Sequence, residues 1–213
     1  MPGWVWALLP SPMPRYLHCA CALALAVAAP AFASDSVTHA QVLEAIRVFD
    51  ANTLGGAAAS KTAAEAGDAL AKASNTILRF AVESDDVVVD LGPDSVTWCD
   101  VKKGLADMPH SGERGLLFAA YLSGCVKAQL RSGKQDANPF EGWVSMLRVY
   151  RAIRMGEGVR IPEVEDLLSR QMGGTLAAYA ADAVNRSTES LHKTYGEPSA
   201  PAKQGPPGLA SQP

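Results

Sequence analysis

No lysine or arginine stripe runs through this chain of 213 residues, and its formal net charge is only -3. A nucleic-acid partner is thereby disfavoured, because binding a phosphate backbone requires clustered basic groups. No apolar run approaches the roughly 20 residues that a spanning helix needs. Aromatic residues make up only 7% of the chain, while alanine is frequent, a balance that points to closely packed helices with small residues at their contacts. Leucine, valine and isoleucine are still sufficient for a core.

Recognisable chemistry is equally sparse. No Gly-x-Ser-x-Gly elbow occurs. Gly133-Lys134 fails as a phosphate loop, because Ala128 stands where the first glycine belongs and Gln135 follows the lysine. His110 with Glu113, and Glu189 with His192, have helical ligand spacing, but each pair offers two ligands where a zinc site needs three or four. Glu83, Asp85 and Asp86 cluster without the alternating ligands of a calcium loop and read as a solvated helix end. Asn185-Arg186-Ser187 is a formal glycosylation sequon. The chain therefore carries no motif for a catalytic site, a metal or a cofactor.

What is present begins at the amino terminus. Arg15 and His18 precede the apolar stretch Leu23 to Ala29, which ends in Ala31-Phe32-Ala33. This is the pattern of a secretory signal peptide over residues 1–33, cleaved before Ser34. Met13-Pro14-Arg15 favours Met13 as the working start. Cys19 and Cys21 lie before the hydrophobic centre, the wrong side for a lipid acceptor. The expectation is a periplasmic or secreted protein with no stable membrane anchor after cleavage.

Beyond the leader only Cys99 and Cys125 remain. In an oxidising compartment an even pair predicts a disulfide, and closing that loop would contribute about 3.5 kcal/mol. Two buried free thiols are the alternative reading.

The body, residues 34–186, reads as one all-α domain. Val42, Ile46 and Phe49 share a helical face behind a Thr38/Gln41 capping box, with Gly55-Gly56 as the stop. Thr62 and Glu65 form a second box, opening a long helix whose seam is Ala63, Ala66, Leu70, Ala73, Ile77 and Phe80. Val87 to Leu91 and Ser95 to Trp98 flank Gly92-Pro93-Asp94, which predicts either a small β-hairpin accessory or an extended connector laid over the helices. A third, central helix runs from Pro109-His110 to about Arg131. Asn138-Pro139 launches a fourth, with Trp143, Met146, Leu147, Tyr150 and Ile153 inward and Arg148, Arg151 and Arg154 outward. Ile161-Pro162 starts a fifth, expected to continue through Gly173-Gly174 with a kink. Residues 187–213, rich in proline towards the end, read as a disordered tail.

Short connections favour consecutive antiparallel neighbours, hence an antiparallel helical bundle or a short stack of helical hairpins. Trp98, Tyr121, Gln129, Trp143 and Tyr150 read as ordinary core with their polar tips at the surface, and a binding groove lined by these five residues is the alternative. Function is then expected from one of two classes. The first is a non-enzymatic protein that binds another envelope protein or a peptide. The second is an envelope hydrolase whose site is assembled from residues distant in sequence.

Overall fold

The computed structural model describes residues 36–55, 62–99 and 104–195, with side chains through residue 189. The expected leader over residues 1–33 and the proline-rich end of the chain lie outside these residues. Six helices make up the fold: α1 (His39–Thr53), α2 (Ala63–Glu83), α3 (Ser111–Ser132), α4 (Phe140–Glu157), α5 (Pro162–Met172) and α6 (Leu176–Tyr195). No strand occurs among the described residues, so the chain is an all-α bundle of antiparallel helices.

Local chemistry sets the helix ends. Both capping boxes form: Thr38 and Thr62 accept the amides of Gln41 and Glu65, whose side chains accept the cap amides in return. The amide of Phe140 donates to Asn138 Oδ1 at 2.9 Å, starting α4. Gly133 and Gly158 end α3 and α4 with φ of 66° and 69°, a left-handed conformation that costs glycine little.

The pairs α1/α2 and α3/α4 make the largest interhelical contacts. His39, at the start of α1, meets Asp86 just past the end of α2, as antiparallel packing requires. In the second pair, Ser123 meets Ser145 while Cys125 meets Gly142, so numbering falls along α4 as it rises along α3. The two backbones approach so closely that a Cβ on Gly142 would lie 2.6 Å from Cys125 Sγ, and one on Gly124 would lie 2.7 Å from Ser145 Cβ. Only glycine fits either position. Helix α3 is buried on most sides, with α1 and α2 against one flank and α4 on the other, while α5 and α6 pack on α4.

Two expectations about the carboxy-terminal half need correction. The fifth helix does not run through the glycine pair. Gly174 takes φ of 71°, which ends right-handed helical geometry, and Thr175 N–H returns to Arg170 O at 2.9 Å. The result is two helices rather than one kinked one. The boundary placed at Ser187 also falls inside α6, which continues to Tyr195. Ser187 Oγ lies 2.9 Å from Asp90 Oδ2, a tertiary tie that local composition does not reveal.

The segment between α2 and α3 is the extended connector of the two expected alternatives. Val87, Val96 and Trp98 are buried in the same core as Phe49, Phe80 and Leu117. Turns replace hairpin pairing, since Ser95 and Val96 both donate to Gly92 O.

Candidate functional site

The five residues weighed as a possible groove do not form one. Trp98, Tyr121, Trp143 and Tyr150 are 0% exposed and Gln129 is 4% exposed. They are core: the polar atoms of Gln129, Tyr121 and Trp143 serve the connector, Tyr150 serves the start of α5, and Trp98 Nε1 is buried without a hydrogen-bond partner among the described residues. Gln129 Nε2 donates to Val88 O at 2.7 Å while its Oε1 accepts from Val88 N at 2.9 Å, satisfying both backbone groups of one residue as a neighbouring strand would. Tyr121 Oη donates to Asp90 O at 2.7 Å, and Trp143 Nε1 donates to Ser95 O at 2.7 Å. Arg114 Nη1 donates to Trp98 O, and its Nη2 meets Glu163 at 3.3 Å. Tyr150 Oη pairs with Glu165 and accepts the amide of Ile161.

Arg114, Tyr121, Cys125 and Gln129 lie on one stripe of α3 by helical spacing. As numbering rises along the stripe, the bonded connector residue falls from Trp98 through Asp90 to Val88. A helix face thus supplies the hydrogen bonds that an irregular segment could not leave unmet in a core. Asp90 closes the far side, its carboxylate accepting from Gly92 N, Ser95 Oγ and Ser187 Oγ.

The expected disulfide is not formed. Cys99 and Cys125 are both free and buried. Cys99 lies in the field of Arg114 and Glu163, whereas Cys125 lies against Tyr121 and Gly142. Eleven residues separate Arg114 from Cys125 on one helix, about 16 Å of axial rise, whereas bridged Cα atoms stand at most about 7 Å apart. Burial pushes each thiol up to about 12, so neither is a thiolate nucleophile near neutral pH. Burial likewise raises the Tyr121 and Tyr150 phenols above their ordinary range.

The titratable clusters resolve into structural ties. Glu83 binds Arg79, Asp86 binds His39 at 2.8 Å, and Asp85 offers its carbonyl to Gln135. No group of three or more metal-ligating side chains occurs among the described residues. His110 caps α3 with φ of 58°, and the side chain of His192 lies outside the described residues. Ser84, Asp86 and His39 are neighbours, but Asp86 Oδ2 lies between the other two, 3.4 Å from Ser84 Oγ and 2.8 Å from His39 Nε2. A hydrolytic triad places the imidazole between hydroxyl and carboxylate, because the imidazole must take the hydroxyl proton. This order cannot do so.

Two open surfaces remain. A groove of about 700 Å³ runs between α1 and α2, floored by Ala40, Ala45, Ala69 and Ala73, with Val37 and Val48 along it and Glu44, Lys72 and Arg79 at its edges. On the crossing of α3 and α4 a polar cleft of about 150 Å³ contains Ser123, Lys127, Arg131, Glu141, Ser145 and Arg148. It adjoins a wider space of about 500 Å³ that reaches Gln129, Asp136, Asn138 and Phe140. Of the α2 seam only Ala73 lines the groove, so the sequence reading did not single it out. The polar cleft was missed because Arg131 and Arg148, on successive helices, share no local pattern. Comparison with family models, with curated proteins and with solved structures finds no match to this chain.

Proposed function

We propose that this chain is an exported protein, periplasmic or secreted, that binds an amphipathic helix of a partner protein along the groove between α1 and α2. The carrying observation is the lining of that groove: small apolar side chains three to five residues apart on two antiparallel helices, the relief into which the ridges of a third helix pack. Charged residues at the edges would set register, with Lys72 available for a carboxylate on the incoming helix. Export rests on the leader over residues 1–33. The hydrolase reading draws no support from Ser84, Asp86 and His39, whose order is wrong for proton transfer.

A photocrosslinking side chain in place of Thr76, which is half-buried in the groove lining, should trap one partner segment in envelope extract, while the same probe at Thr188 should not. The trapped segment, made as a synthetic peptide, should bind the full chain saturably, and Ala69→Glu should weaken that binding by about tenfold or more. No adduct at position 76, or a peptide indifferent to Ala69→Glu, overturns the assignment.

A further inference from the structure

We infer that the cleft at the crossing of α3 and α4 is a second, separate binding site, one that takes a small organic anion through a carboxylate or phosphate head. Among the described residues, every arginine except Arg131, Arg148 and Arg151 stands within 3.8 Å of a carboxylate, and Arg151 donates to Gln171 at 2.8 Å. Arg131 and Arg148 alone have neither a carboxylate nor an amide partner among those residues, in a chain whose net charge is negative. They come from different helices and line the same cleft.

The rest of the lining suits an oxyanion. Lys127 adds a third positive charge and is held only loosely, 3.7 Å from Asp50. Ser123 and Ser145 place their hydroxyls 3.3 Å apart; Ser123 is buried and donates to Ala120 O, while the half-buried Ser145 completes this part of the lining. Of the charged groups there, Lys127, Arg131 and Arg148 outnumber Asp50 and Glu141 by one. Guanidinium forks from two sides match the paired oxygens of a carboxylate or phosphate. A volume of about 150 Å³ accommodates such a head, and the adjoining space of about 500 Å³ leaves room for a polar body. Glu141 faces both spaces and favours a body that brings a hydrogen-bond donor, as in a hydroxy acid or a sugar phosphate. The close approach at Gly124 and Gly142 holds the two arginine-bearing helices at a set spacing, so the site is largely formed before a ligand arrives.

Calorimetric titration of the full mature chain at low ionic strength, with inorganic phosphate, glycerol phosphate and malate as probes, tests the assignment. Saturable one-to-one binding of at least one probe is expected. Arg131→Gln or Arg148→Gln should each weaken it about tenfold, Glu141→Gln should strengthen it, and Arg47→Gln, whose pair with Glu44 lies elsewhere on the surface, should leave it unchanged. Preference for malate or for the two phosphates identifies the head. Because both arginines are exposed and unpaired, their replacement should leave the helical circular dichroism intact. Absence of saturable binding for all three probes, or binding by both arginine variants as tight as the parent's, overturns the site without touching the α1/α2 groove.

Discussion

The two antiparallel helix pairs use small residues to opposite ends. In α3/α4 the small residues are consumed by the contact itself: Gly142 accommodates the Tyr121 ring and Cys125 Sγ, and Gly124 lies against the backbone at Glu141. In α1/α2, Ala40, Ala45, Ala69 and Ala73 line a surface that remains open. The difference follows from what lies on each pair. α3 and α4 carry the connector, whose backbone polar groups they satisfy at Val88, Asp90, Ser95 and Trp98, and nothing among the described residues plays that part over the outer face of α1 and α2. A small residue therefore marks a close approach, but whether the approach is to a neighbouring helix or to a visitor depends on the third layer.

Matched small-to-large substitutions sharpen this contrast. Gly142→Leu should destabilise the chain by about 3 kcal/mol, because the added side chain meets a ring and a sulfur that have no room to yield. Chemical denaturation of the purified domain measures it, and a variant as stable as the parent would dissolve the distinction between the pairs.

The buried thiols supply an intermediate effect on the closed side only. Each has a folded-state pKa of about 12 against an ordinary value of 9.0. Between those values the unfolded chain loses a proton that the folded chain keeps, so stability falls as pH rises through that window and is unaffected by these groups below it. The slope should be about 1.4 kcal/mol per pH unit for each thiol. Replacing Cys125 by alanine should remove one share of it, as read from unfolding curves between pH 8 and 11. An unchanged slope would mean that Cys125 titrates as it would in water.

The smallest effect belongs to the open side. Ala69→Leu should alter stability by no more than about 0.5 kcal/mol, since the new side chain enters solvent-filled space. Its consequence should fall on partner binding instead. A large loss of stability from Ala69→Leu would show the groove to be closed.

Much of the scaffold was legible in the chain because it depends on interactions within a few residues. The Thr38/Gln41 and Thr62/Glu65 boxes start α1 and α2 as their spacing requires, and Trp143, Met146, Leu147, Tyr150 and Ile153 are all buried, as the period of α4 implies. Prediction failed where distance in sequence entered. Gly173-Gly174 became a helix boundary instead of a kink, and α6 outran its expected end, where Ser187 reaches Asp90. The five residues weighed as a possible groove are the ordinary core they were first read as, but Tyr121, Gln129 and Trp143 turn their polar tips to backbone rather than to water, a choice that an amphipathic side chain does not declare in the sequence. The Cys99–Cys125 bridge failed on helical arithmetic, once Cys99 was seen beside Arg114.

Helix identity, the capping boxes and the inward faces of α1 to α4 were determined by the amino-acid order itself, since caps and periodicity act within one or two turns. The tertiary fold decided which polar side chains would be spent on the connector, which cysteines could meet and which arginines would be left without a partner. Those outcomes depend on groups tens of residues apart sharing a few ångströms, and chain packing alone sets such distances.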